Sequence, residues 1–143
     1  MIAQNSSHMR GQIQQYGCYM MSLVWWGWYR GHLEVDPVFI NEDLYYKFVR
    51  SQWMRETCFI KNPVAILQFM QVPVKAVRKA DADYVPADNE ICIGQFKTEG
   101  EISHFVVVDN EGHVMYDPWQ SKEGGSRAVR NGQLISWRVF TLK

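Results

Sequence analysis

From Cys18 to Arg30 the chain is apolar on almost every face. Met20, Met21, Leu23, Val24, Trp25, Trp26 and Trp28 fall within one run. That length, with Met and Leu rather than β-branched residues, predicts a helix. A helix apolar on most faces is a buried one. Gly31 is placed to end it. Asp36-Pro37 opens a second helix, continuing through Leu44, Tyr45 and Phe48 to Arg50 or Met54. Asn62-Pro63 opens a third, over residues 64–70, because proline is favoured in a helix's first turn.

After Met70 the pattern changes. Residues 72–77 contain Pro73 and predict an edge strand. Residues 91–97, 105–108, 113–116 and 134–142 predict further strands. Asn110-Glu111-Gly112 and Asn131-Gly132 punctuate them as turns, and residues 121–126, with Gly124-Gly125, as a loop. Helices first and antiparallel strands second is the α+β order. The helix that starts at Cys18 should run through the core between the two halves. Residues 1–9 are polar and patternless and read as a flexible leader, leaving residues 10–143 as a single domain.

Composition narrows the function classes. A length of 143 residues suffices for a core without disulfides or metals. Formal net charge is zero, so nucleic-acid binding through phosphate neutralisation has no support. Three cysteines form no complete disulfide framework, and Cys18, Cys58 and Cys92 have no zinc-site spacing. The apolar run is too short to span a bilayer, and no basic segment precedes it as in a secretory signal. A cytoplasmic protein with no cofactor and no membrane insertion is expected.

Candidate chemistry centres on Cys18. It stands where a loop meets the start of the buried helix, and a helix N-terminus favours negative charge and hence the thiolate. Cys58 and Cys92 sit in the apolar contexts Cys58-Phe59-Ile60 and Ile91-Cys92-Ile93 and should be shielded. Gln12, six residues before Cys18, offers an amide donor near the nucleophile. His104 opens the strand Phe105-Val106-Val107-Val108, and Asp117 closes the next one. If Glu111-Gly112 form a two-residue turn, Val106 pairs with Asp117, and His104 and Asp117 become diagonal neighbours on one face. A three-residue turn would rotate Asp117 away. Asp109 should face opposite to His104, and His113 falls near the hairpin tip. The aromatic cluster Trp25, Trp26, Trp28 and Tyr29 suits core packing first and a partner surface second.

The stretches Gln12-Ile13-Gln14-Gln15-Tyr16-Gly17-Cys18, Ser103-His104-Phe105-Val106-Val107-Val108-Asp109 and Met115-Tyr116-Asp117-Pro118-Trp119 together resemble the papain-like cysteine peptidases. The nearest subgroup is the bacteriocin-processing type that cleaves double-glycine leaders. The chain also resembles an uncharacterised family of small spirochaete and phage-borne proteins. The peptidase resemblance implies a papain-like fold, with Cys18 as nucleophile, His104 as general base and acid, Asp117 as orienting carboxylate and Gln12 as oxyanion donor. It implies hydrolysis of a peptide or amide bond in a peptide or protein substrate, through a thioester. Where the family often has glycine after the nucleophile, this chain has Tyr19. Specificity would come from the loops at 80–89 and 120–127. Two rival expectations use the same scaffold: a peptidoglycan amidase or transferase, or an inactive domain that binds or inhibits a partner.

Overall fold

The computed structural model describes residues 17–31, 37–97, 103–118 and 132–143, the side chains of residues 37–42 aside. Three helices precede five strands: α1 (Cys18–Arg30), α2 (Pro37–Arg50), α3 (Pro63–Phe69), β1 (Val74–Asp81), β2 (Glu90–Lys97), β3 (Ser103–Val108), β4 (Val114–Tyr116) and β5 (Gln133–Leu142). The strands form one antiparallel sheet in the order β1-β5-β2-β3-β4. The fold is α+β. The leader, Gln12, the Asn131 half of the Asn131-Gly132 signal and the loop at 121–126 lie outside the described residues.

Proline and asparagine set the helix starts as the pattern requires. Pro37 and Pro63 are first-turn residues, and the Asn62 side chain accepts a hydrogen bond from the Ala65 N–H at 3.1 Å. α2 stops at Arg50, and Met54 instead bridges to Ile60. Pro73 precedes β1, an edge strand that among the described residues pairs with β5 alone.

The main core lies between the helices and one sheet face. Met20, Leu23, Tyr45, Phe48, Ile66 and Phe140 are fully buried there. A smaller cluster of Cys92, Val106, Val108, Trp137 and Val139 covers the other face. α1 is buried from Cys18 to Gly27 except for the partly exposed Tyr19, while Trp28 and Tyr29 are 42% and 54% exposed. The aromatic cluster is thus divided. Trp25 and Trp26 are in the core, and Tyr29 stacks on Trp25 from outside at 4.8 Å.

The C-terminal half of α1 is held by the sheet and by the end of α3. Trp26 donates its indole N–H to the Cys92 carbonyl on β2 at 3.1 Å. A side-chain carbon at Gly27 would meet Met70 Sδ at 2.4 Å, and one at Gly31 would meet the Met70 carbonyl oxygen at 2.1 Å. Both glycines therefore permit a backbone approach to the end of α3 that no larger residue allows.

The β3–β4 hairpin departs from the two-residue turn. Gly112 N–H bonds the Asp109 carbonyl at 3.1 Å and Asp109 N–H bonds the His113 carbonyl at 2.9 Å, so Asn110, Glu111 and Gly112 form the loop. Gly112 takes φ 88°, the left-handed position that such a three-residue turn needs. The Asp109 carboxylate accepts from the N–H groups of Glu111 and His113 at 2.9 and 2.8 Å, which occupies it at the turn.

Candidate active site

Cys18 is the first residue of α1. Gly17 precedes it and has no side chain to cap the helix, while its carbonyl accepts the Met21 N–H at 2.8 Å. The first-turn N–H groups of α1 thus surround the thiol with positive partial charge. Ser22, fully buried one turn on, donates to the Cys18 carbonyl at 2.8 Å, with the Phe105 carbonyl a second acceptor at 3.4 Å. This hydroxyl ties the Cys18 turn of α1 to β3. A polar residue at the fourth position after Cys18 in an otherwise apolar run was the available sequence signal for it.

β4 pairs only with the Val107–Val108 end of β3. The opposite end of β3, with His104 and Phe105, is met by the start of α1, where Tyr19 stacks on Phe105 at 4.6 Å. His104 is 0% exposed. Its Nε2 lies 2.6 Å from Asp117 Oδ1, and Cys18 is close enough to act on the imidazole's charge. Burial by itself would lower the His104 pKa. The bond to Asp117 and the contact with Cys18 reverse that and raise it to about 9. Both contacts favour the imidazolium over the neutral ring.

Asp117 reaches this position by a route different from the expected one. A three-residue turn alone would rotate it away. Between the pairs Val108↔Val114 and Val107↔Tyr116, however, Met115 is an extra residue, a β-bulge. The bulge shifts the register back by one. Tyr116 faces the main core and Asp117 falls on the side of His104.

Cys18, 8% exposed, borders a cleft of about 980 Å³. Tyr19, Phe59, Val77, Lys79, Phe105 and Arg138 are among its walls. Tyr19, the residue after Cys18, is a wall of this cleft. Burial pushes its phenol up to about 12, and the nearby Arg138 opposes the rise. His104 does not border the cleft; only the thiol does. Cys92 is fully buried, and desolvation raises its thiol to about 12. Cys58 is buried, as its apolar neighbours predict, and it also borders the same cleft as Cys18 and takes φ 66°. Apolar sequence neighbours marked burial but not the cavity behind it.

Among the described residues no group of three or more His, Cys, Asp or Glu side chains is arranged to hold a metal. No helix among them is long and apolar enough to cross a membrane. No curated protein and no solved structure matches the chain. One family model, described as "Protein of unknown function, DUF261", matches residues 1–142, and the chain belongs to that family.

Proposed function

We propose that this protein is a cysteine hydrolase of papain-like architecture that cleaves a peptide or amide bond. The observation that carries the reading is the convergence of Cys18 at a helix start, His104 on β3 and Asp117 just after β4, with His104 bonded to Asp117 at 2.6 Å and acted on by Cys18. Chance motif matches rarely converge in space.

The chemistry follows from the groups present. The Cys18 thiol passes its proton to the His104 imidazole, giving a thiolate–imidazolium pair. The Cys18 thiolate attacks the substrate carbonyl, an S–C bond forms, and the oxyanion is held by the Cys18 backbone N–H. The His104 imidazolium protonates the leaving nitrogen as the C–N bond breaks. Water then attacks the thioester and gives its proton to His104, the C–S bond breaks, and the carboxylic acid is released with the Cys18 thiolate and the His104 imidazolium restored. Asp117 fixes the ring tautomer and stabilises the imidazolium. Gln12, from the resemblance, is the proposed second oxyanion donor.

One observation favours a second reading. His104 is fully enclosed and only Cys18 borders the cleft, as suits a domain that binds partners without turnover. Iodoacetamide labelling at neutral pH with mapping of the modified cysteine, run beside a peptide-library hydrolysis assay, separates the two. Fast labelling of Cys18 together with turnover supports the hydrolase. Labelling of Cys18 no faster than that of Cys58, with no turnover, supports the binding domain.

A further inference from the structure

We propose that the Cys18 cleft selects peptides bearing a carboxylate, received by Lys79 and Arg138 against the apolar wall made by Tyr19, Phe105 and Val77. The inference rests on Cys18 being the nucleophile and adds the substrate class.

Lys79 and Arg138 are direct partners in the β1–β5 ladder, and both border the cleft. Like charges facing each other across a ladder repel and are destabilising unless an anion sits between them. Neighbouring Arg78 shows the compensated case: its guanidinium meets Glu90 Oε2 at 2.7 Å. Lys79 and Arg138 have no carboxylate within ion-pair distance among the described residues, and none of the described residues bordering the cleft is acidic.

Arg138 is nonetheless oriented. Its Nη1 donates to Ser136 Oγ at 3.0 Å and its Nη2 to Gln95 Oε1 at 3.1 Å, while its guanidinium lies 5.5 Å from the Phe105 ring centre. Neutral acceptors fix the planar fork without neutralising it. Phe105 in turn stacks on Tyr19, the residue after the nucleophile. A substrate acyl group at Cys18 thus meets an aromatic wall and, beyond it, two uncompensated cations. Those two bonds use one N–H on each terminal nitrogen, so the guanidinium's remaining N–H donors and the Lys79 ammonium beside it are left for a carboxylate, and the aromatic wall suits an adjoining apolar side chain.

The test uses the full chain and N-acetylated peptide acyloxymethyl ketones that alkylate the active thiol. Probe pairs differ only in Glu against Gln at each acyl-side position. A second arm compares peptidyl epoxides ending in a free carboxylate or a carboxamide, and so distinguishes a side-chain from a terminal carboxylate. The acidic member of one pair should label Cys18 about tenfold faster, the scale of a charge-assisted contact discounted for solvent. The ratio should shrink in about 0.5 M salt, a reading that needs no variant. It should fall toward one in Lys79→Gln and invert in Lys79→Glu. Labelling of Cys18 with no acidic preference in either arm overturns this inference and leaves the nucleophile in place. Failure of iodoacetamide to favour Cys18 overturns the hydrolase reading and this inference with it.

Discussion

His104 Nε2 and Asp117 Oδ1 stand 2.6 Å apart, joined by a hairpin whose turn and bulge each shift the register by one residue. The two irregularities cancel. The pair ends where an ideal two-residue hairpin would have placed it.

That cancellation makes Met115 dispensable in register terms. With Met115 deleted, Tyr116 follows Val114 directly and still pairs with Val107. The deletion should keep the pH dependence of Cys18 alkylation close to that of the unaltered chain, with melting lowered by only a few degrees. A profile resembling that of Asp117→Asn would mean that the bulge's bend, and not the pairing, aims the carboxylate.

Substitutions at the pair should separate by role. His104→Ala removes the counter-charge and proton carrier, so turnover should vanish and Cys18 alkylation at neutral pH should slow by about tenfold or more. Asp117→Asn should retain the fold and lower the hydrolysis rate by about 10²–10⁴, through a mobile or wrong tautomer. Rates, alkylation and circular dichroism on both variants check this. Unchanged alkylation in His104→Ala would remove His104 from the mechanism.

The same pair gives stability a pH signature. His104 is raised from its usual 6.5 to about 9 in the folded chain. Its contribution is therefore complete below about pH 6.5 and declines as pH rises through about 9, by on the order of 3 kcal/mol. Urea unfolding between pH 6 and pH 10 should show this decline, and His104→Gln should flatten it. A decline of equal size in that variant would assign it elsewhere.

Glu90 predicts the opposite slope on the acid side. The carboxylate is buried, which by itself would raise its pKa, but it accepts from the Tyr84 hydroxyl, the Ala87 N–H at 2.9 Å and Arg78, and the net shift is downward. Stability from this group is present above the unfolded carboxylate value, about 4.3, and is lost as pH falls through the lower folded one. Glu90→Gln should cost about 1–2 kcal/mol at neutral pH and reduce the acid sensitivity of unfolding.

Local signals were legible where a residue's own chemistry fixes the backbone. Asn62-Pro63 starts a helix because the amide caps and proline lacks an N–H. The apolar run from Cys18 has no polar face to show and must be buried. Signals that depend on pairing were not legible. Nothing local places β5 between β1 and β2, so the meeting of Lys79 with Arg138 was hidden. The bulge at Met115 was equally hidden, because the Asn-Glu-Gly signal fits both turn lengths. The Cys58 wall of the cleft arises from three-dimensional proximity alone.

The glycine contacts at the far end of α1 set a tolerance at its near end. A helix is stiff along its axis, so an obstacle at residue 27 is felt at residue 18, roughly 14 Å away at 1.5 Å per residue. Gly27 abuts the Met70 side chain so closely that an added methyl group would meet Sδ at 2.4 Å and Cβ at 2.9 Å, so either that side chain or the helix must shift. Where the helix shifts, the sulfur moves against the imidazole, gauged by a spacer that touches neither. In a survey of substitutions across the chain, Gly27 would rank with the nucleophile's neighbours for loss of reactivity, an alignment screw placed at the opposite end of the instrument from the point it adjusts.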